Sequence, residues 1–137
     1  MTESIRLVIF DDSSDALRRY AASFAHIAID YLTIRRPILD QEIQTALVAF
    51  QPDLIIVDLV MGSGRDDGYL LIDALQDVRF VSGMPSVVVC SKLITNSPMG
   101  EQEKARALKA PGVVAAFSKF PELPSAEQFL QFMRRRT

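Results

Sequence analysis

The sequence predicts an α/β protein in which a parallel sheet is covered by helices on both faces. Short apolar runs alternate along the chain with segments whose apolar residues have helical spacing. Several of the runs are continuously apolar, which is typical of strands buried on both faces. The chain has 137 residues, of which 49% are hydrophobic and 23% charged. This is enough chain for one such core and too little for two.

Each predicted strand is short and ends at a polar or turn-forming residue. The first, Ile-Arg-Leu-Val-Ile-Phe, stops at an Asp-Asp-Ser-Ser sequence, and the third, Leu-Ile-Ile-Val, stops at Asp58. The strands are predicted at residues 5–10, 29–34, 54–57, 85–90 and 113–117.

Between the strands, apolar residues recur at intervals of three and four, which predicts helices. The polar residues that follow the first strand also supply the N-cap of the first helix. The helices are predicted at residues 14–26, 39–50, 69–78, 100–109 and 125–136.

This alternation predicts one fold in particular. Right-handed crossovers leave few topologies for five parallel strands. A chain of this size favours the flavodoxin-like (βα)5 three-layer sandwich, with a five-stranded parallel sheet of order 2-1-3-4-5. We expect residues 1–137 to form a single domain of this kind.

Composition excludes several classes of function. The net charge of −2 gives no broad positive field for nucleic acid or an anionic membrane. The single cysteine, Cys90, excludes an internal disulfide and favours a reducing compartment. No apolar stretch has the length of a membrane span, and the N-terminus lacks a signal-peptide pattern. We therefore expect a cytoplasmic protein with no direct contact to nucleic acid or membrane. The basic residues 134–136 are predicted to end the last helix or to begin a linker.

Polar side chains end four strands that should be consecutive neighbours in the sheet. The functional crevice of an open α/β sheet lies beyond the carboxyl ends of its strands. Neighbouring strands lie about 4.8 Å apart, so residues at these ends form a row. They are Asp11 and Asp12 after the first strand, Asp58 after the third, Ser91 after the fourth and Lys119 after the fifth.

This row predicts phosphoryl chemistry. Clustered carboxylates repel one another, and Mg²⁺ relieves this repulsion because it prefers oxygen ligands and binds through carboxylates and phosphate. The carbonyl of Val60 is a candidate additional ligand. Asp58 is the candidate nucleophile, Lys119 would pair with it, and Ser91 would donate to a phosphoryl oxygen. Each residue alone has a structural explanation as a cap, turn or solvated side chain. Their joint occurrence at neighbouring strand ends favours function.

With these residues in place, the sequence resembles the receiver domains of two-component response regulators, of the chemotaxis-regulator type, over nearly its whole length. The matching segments are residues 8–13, 53–61, 67–72, 87–91 and 117–119. The resemblance implies a histidine kinase or histidine phosphotransfer protein as phosphodonor, and slow autophosphatase activity.

The resemblance also implies a role for each residue of the row. Asp12 would bind Mg²⁺ directly and Asp11 would bind it through water. Asp58 would be phosphorylated. Ser91 would be the switch hydroxyl, and Lys119 the lysine of the pocket.

The sequence departs from the receiver pattern in four places. The loop after Asp58 is longer than usual and has Met-Gly where Met-Pro is customary. Lys92 follows the switch hydroxyl, where a small residue is customary. Ala116 stands where the switch aromatic is expected, and Phe117 lies one place later. The customary Lys-Pro pair is split, so Phe120-Pro121 is the bond expected to be cis if one is. We expect weaker or differently routed signalling to the face made by residues 100–109, 113–117 and 125–136.

Three other functions fit parts of the sequence. The main alternative is a receiver-like module that acts by phosphorylation-independent protein–protein interaction, with the last two helices and fifth strand forming a homodimer or docking a partner. A flavin or nucleotide binder would need a phosphate-binding loop after the first strand, where Asp11 and Asp12 would repel phosphate. A haloacid-dehalogenase-type phosphatase would need these two aspartates separated by one residue.

Overall fold

The computed structural model describes residues 4–62, 64 and 66–133. The basic residues 134–136 lie outside this part of the chain. The strands are β1 Ile5–Phe10, β2 Ile29–Ile34, β3 Leu54–Val57, β4 Ser86–Ser91 and β5 Val113–Ser118. The helices are α1 Ser14–Ser23, α2 Gln41–Phe50, α3 Asp67–Leu75, α4 Pro98–Lys109 and α5 Ala126–Leu130.

The five strands form one parallel sheet in the order β2-β1-β3-β4-β5. The predicted fold class and strand order are therefore confirmed. All four residues of β3 are buried, because this strand is central and both of its faces are covered. Parallel pairing brings the carboxyl ends of β1, β3, β4 and β5 to the same edge of the sheet.

The sheet separates two hydrophobic cores. Val8, Phe10, Ile55 and Val57 point to one face, where α2, α3 and α4 cover them. The residues between them point to the other face, where α1 and α5 pack. Successive side chains along a strand point to opposite faces of the sheet, so a shift of one residue moves a side chain from one core to the other.

The helix boundaries differ from the sequence prediction at several ends. The first helix was predicted to reach residue 26 but ends at Ser23, and His26 beyond it places Nε2 2.7 Å from Glu127 Oε1. The last helix was predicted to reach residue 136, but α5 ends at Leu130.

The third and fourth helices begin two residues earlier than predicted. Helix α3 begins at Asp67. Its second residue, Gly68, reads as a loop residue in sequence but is needed for a close backbone contact described below. Helix α4 begins at Pro98, because the Ser97 side chain accepts a hydrogen bond from the Gly100 N–H and caps the helix.

The strands match their predicted ranges more closely than the helices do. Strand β4 includes Ser91, one residue beyond the predicted end, and β5 includes Ser118. The peptide bond Phe120-Pro121 is cis, as expected. Among the described residues, no helix is long and apolar enough to cross a bilayer.

Candidate functional site

Backbone hydrogen bonds extend the parallel ladder by one residue beyond β1 and β3. The Asp11 N–H donates to the Ile34 carbonyl at 3.1 Å, and the Asp58 N–H donates to the Phe10 carbonyl at 3.0 Å. Both residues are thereby fixed at the carboxyl edge of the sheet. Asp11 is 1% exposed and Asp58 4% exposed, so the sheet and its helices largely enclose these two carboxylates.

The structure brings the three predicted carboxylates together. Asp11, Asp12 and Asp58 each offer one oxygen atom, and these atoms all lie within 4.8 Å of one another. Asp12 is less buried than the other two. A cluster of this size and composition could hold a divalent cation.

Lys119 forms ion pairs with two of the carboxylates. Its Nζ lies 2.9 Å from Asp58 Oδ2 and 2.7 Å from Asp11 Oδ2. The contact with Asp58 was expected from the sequence, whereas the contact with Asp11 was not. The backbone holds the lysine in place, because the Lys119 N–H donates to the Ser91 carbonyl at 3.1 Å and Arg19 Nη2 donates to the Lys119 carbonyl at 3.2 Å.

The donor set fits Mg²⁺. Three carboxylates and one ammonium leave a formal charge of −2, and all the candidate ligand atoms are oxygen. Among the described residues, the Lys119 ammonium is the one cationic group beside Asp11 Oδ2, and this oxygen has no further hydrogen-bond partner. The excess negative charge that remains on the cluster favours a bound cation.

Burial and charge act in opposite directions on the two central groups. Burial raises the pKa of Asp58, and the nearby Asp11 carboxylate adds to this, although Lys119 opposes it. Burial alone would lower the pKa of Lys119, but hydrogen bonding and charge from Asp11 and Asp58 raise it above its usual value. Lys119 is therefore a cation at neutral pH.

Backbone amides donate to three of the other four carboxylate oxygens. The Ser13 N–H donates to Asp11 Oδ1 at 2.9 Å, and the Val60 N–H donates to Asp58 Oδ1 at 3.3 Å. The Gly62 N–H donates to Asp12 Oδ2 at 2.8 Å, and Gly62 has a φ of 61° that suits glycine. Val60 is thus beside the cluster, and its carbonyl stays a predicted ligand. Carboxylate oxygens accept more than one bond, so these contacts leave room for a cation.

Arg35 also holds the acidic loop, and no pattern in the sequence indicated this. Its Nη2 donates to the Asp12 carbonyl and to the Ser14 hydroxyl, both at 2.8 Å. Arg35 follows β2, the edge strand next to β1, so only the tertiary fold brings it to the site. These bonds fix the backbone at Asp12.

No protein-family model matches the chain, and no curated protein matches it in sequence. Solved structures do match it. A CheY-like response regulator receiver domain from Methylobacillus flagellatus has a TM-score of 0.66 at 14% identity, covering 94% of this chain and 98% of that one. The BeF3-activated N-terminal receiver domain of Klebsiella pneumoniae RstA has a TM-score of 0.67 at 17% identity, covering 92% and 93%.

A third structure is a response regulator from Burkholderia pseudomallei with a phosphorylated aspartic acid, a calcium ion and citrate. It has a TM-score of 0.67 at 18% identity and covers 96% of this chain and 67% of that one. The chain has the receiver-domain fold. At these low identities the likeness shows the fold and leaves the chemistry to be argued from the residues.

Ser91, which the sequence predicts to be the switch hydroxyl, is the last residue of β4. It is fully buried, and its Oγ accepts a hydrogen bond from the Leu93 N–H at 3.2 Å. Donation to a phosphoryl group therefore stays a prediction that requires the hydroxyl to reorient. The next residue, Lys92, is exposed to solvent.

The receiver switch aromatic has no equivalent on β5. Ala116 is buried in the core under α2, α3 and α4. Phe117 faces the other side of the sheet, where its ring centroid lies 5.4 Å from that of Phe129 and 6.0 Å from that of Phe132. A shift of one residue along a strand changes the face, so Phe117 cannot replace the missing aromatic.

Proposed function

We propose that the chain is a phosphoacceptor receiver domain of a two-component phosphorelay. Asp58 would accept a phosphoryl group from the phosphohistidine of a histidine kinase or histidine phosphotransfer protein. Asp11, Asp12 and Asp58, with the Val60 carbonyl, would hold Mg²⁺. The observation that carries the proposal is the buried Asp58 carboxylate, paired with Lys119 and flanked by the two other carboxylates.

The residues present account for the transfer. An Asp58 oxygen attacks phosphorus, the P–N bond of phosphohistidine breaks, and the leaving imidazole takes up a proton from solvent. Lys119 can pair with a phosphoryl oxygen as the charge of the Asp58 carboxylate is lost, and Ser91 is the predicted donor to a second oxygen. Bound Mg²⁺ would neutralise charge on the transferring group.

Hydrolysis of the acyl phosphate would return the protein to its first state. Water attacks phosphorus and releases inorganic phosphate, which is the slow autophosphatase reaction implied by the resemblance. The phosphorylated aspartic acid of the Burkholderia protein supports aspartyl phosphate as a product on this fold. The structure of the acidic cluster supports Mg²⁺ as the cofactor here.

The domain and its location belong to the same proposal. We place residues 1–137 in one receiver domain in the cytoplasm, where the buried thiol of Cys90 would stay reduced. The net charge of −2 argues against nucleic acid as a direct partner.

The direct test is phosphorylation by a small donor. The protein is incubated with acetyl phosphate and Mg²⁺, and its intact mass is measured. We expect the added mass of one phosphoryl group in the wild type and in Asp30→Asn, an exposed carboxylate on β2 that serves as the matched control. No mass should be added in Asp58→Asn or after chelation of the metal. Uptake that persists in Asp58→Asn would place the phosphate elsewhere and contradict the proposal.

A phosphorylation-independent interaction module is the second candidate, favoured by Ala116 at the switch position. Strand β5 and helix α4 present exposed apolar side chains for this, including Val114 at 47% and Leu108 at 44% exposure. This surface is where we propose a homodimer through α4, β5 and α5. Sedimentation velocity measures the oligomeric state. A dimer that takes up no phosphoryl group from acetyl phosphate or from any phosphohistidine donor would support this function.

A further inference from the structure

We infer that α4 is coupled to the phosphoacceptor through a side-chain cluster between α3 and α4, in place of an aromatic side chain at position 116 of β5. The cluster consists of Asp66, Tyr69, Glu103 and Arg106 and is called the α3–α4 cluster below. The inference rests on the proposed function for its input, which is phosphorylation of Asp58. The cluster itself is observed.

The first step of the coupling is the contact between α3 and the backbone of the phosphoacceptor. The Gly68 N–H donates to the Leu59 carbonyl at 3.0 Å. A Cβ atom on Gly68 would lie 2.5 Å from the Asp58 carbonyl oxygen and 2.5 Å from the Leu59 Cα. The first turn of α3 therefore touches the Asp58–Leu59 peptide. A displacement of that peptide must move α3 because the contact has no free space to absorb it.

The second step runs through Tyr69, the next residue of α3. Its hydroxyl donates a hydrogen bond to Glu103 Oε2 on α4, which is 34 residues away in sequence. Glu103 is only 8% exposed, which is unusual for a carboxylate. Burial, together with the neighbouring Glu103 carboxylate, raises the pKa of Tyr69, so the hydroxyl keeps the proton that it donates.

The third step is Arg106, one turn further along α4. Its guanidinium carbon lies 3.9 Å from the centroid of the Tyr69 ring. Its Nη1 lies 3.2 Å from Asp66 Oδ1, just before α3, and 3.9 Å from Glu103 Oε2. A planar guanidinium can stack on a ring and bind carboxylates at its edge at once. Arg106 thus connects α4 to Asp66 and Tyr69, which precede and follow Gly68 in the sequence.

Among the described residues, the β5 side of α4 has no comparable set of polar and ring contacts. Ala116 ends in a methyl group, and Phe117 packs against α5 on the opposite face of the sheet. A rotamer change at position 116 is not available to follow a movement of Ser91. The α3–α4 cluster, with its ion pairs, its ring contact and its buried hydrogen bond, lies on the side of α4 that faces α3.

The experiment uses the full chain with Mg²⁺ and fluoroberyllate, which mimics the phosphoryl group. Fluorine NMR reports whether fluoroberyllate binds, and amide hydrogen exchange reports the response of Pro98–Lys109. We expect binding to change exchange across α4 in the wild type. Tyr69→Phe keeps the ring but loses the hydroxyl bond, and it should reduce that change at least two-fold. Glu103→Met removes the acceptor of that bond and should do the same, and the double variant should add little further. Lys104→Ala, an exposed residue on the same helix, should leave the response unchanged.

The outcomes separate this inference from the proposed function. Failure of the wild type to bind fluoroberyllate would overturn the proposed function and the inference together. Binding with an α4 response that is absent, or equal in the wild type and Tyr69→Phe, would overturn only the inference. Arg106→Lys keeps the charge but loses the planar stack, and it should fall between wild type and Tyr69→Phe. Linkage provides a second readout, because a variant that uncouples α4 must also change the affinity for fluoroberyllate.

Discussion

Three carboxylates after β1 and β3 lie together at one edge of the sheet, and the buried lysine after β5 contacts two of them. Two strands away on β5, the position of the switch aromatic holds a methyl group, and the nearest ring faces the opposite core. The pocket follows the pattern closely and the switch region does not. Both regions are parts of the same sheet, so the difference does not arise from the fold.

Capture of a phosphoryl group and transmission of the resulting signal make different demands on the amino-acid sequence. Capture depends on charges at fixed points, so few residue types can supply the nucleophile and the metal ligands there. Transmission depends on packing between elements, which several arrangements can provide. The α3–α4 cluster is the arrangement that we propose, since it joins the Asp58–Leu59 backbone to α4 without an aromatic residue at position 116.

The largest effect is expected from Lys119→Met. Removal of the ammonium leaves two buried carboxylates without their partner, which costs about 3–5 kcal/mol of folding free energy. Urea unfolding at pH 7 measures it, with exposed Lys104→Met as the control. The raised pKa of Lys119 means that its contribution is complete below the usual lysine value of 10.5 and is lost as pH rises through the higher folded value. The difference in the free energy of unfolding between Lys119→Met and the wild type should therefore persist from pH 7 to pH 10. A loss no larger than that of the Lys104→Met control would show that the ammonium does not stabilise the pocket.

Ala116→Phe tests whether the switch region has room for the missing ring. We expect a loss of about 1–3 kcal/mol, because the position is buried in a packed core. Val114→Phe is the matched control, since it lies on the same strand and is exposed. Thermal and urea unfolding measure both variants. An Ala116→Phe protein as stable as the wild type would show a space already shaped for an aromatic, and the two regions would then differ less than the structure indicates.

A gain in stability is expected from Asp58→Asn in magnesium-free buffer at pH 7, by about 0.5–2 kcal/mol. The raised pKa of Asp58 means that this carboxyl favours the folded state below its unfolded value of 3.8, and that the benefit is lost as pH rises through the folded value. At neutral pH the ionised Asp58 carboxylate therefore destabilises the folded state, and the asparagine substitution removes this cost. The gain should shrink between pH 7 and pH 4, and urea unfolding across that range measures it. If the gain in the free energy of unfolding grew as the pH fell, the pKa of Asp58 would be lowered in the folded state rather than raised.

The smallest effect is expected from Lys92→Ala, which lies between the two regions. The exposed ammonium adds positive charge near the pocket and should attract an anionic donor. Uptake from acetyl phosphate should become about two-fold slower at low ionic strength, and the difference should fade in high salt. Lys104→Ala on α4 is the control. Faster uptake by Lys92→Ala would show instead that the side chain obstructs the pocket.

Local pattern determined the element order, the strand topology and the residues at the strand ends. Continuous apolar runs such as Leu-Ile-Ile-Val need no partner to be recognised as buried strands, and parallel order then places their ends at one edge. Helix ends were harder to predict. Gly68 reads as a loop residue, and only the close approach of the Asp58–Leu59 backbone explains a glycine inside α3.

The tertiary structure decided what the sequence could not. The contact of Lys119 with Asp11, the bonds of Arg35 to the acidic loop, and the stacking of Arg106 on Tyr69 all join residues from separate elements. Such contacts depend on how helices and loops pack against the sheet, and residue spacing along the chain carries no record of that packing. Spacing determines which residues reach an edge or a face of the sheet. Only packing determines which of them touch.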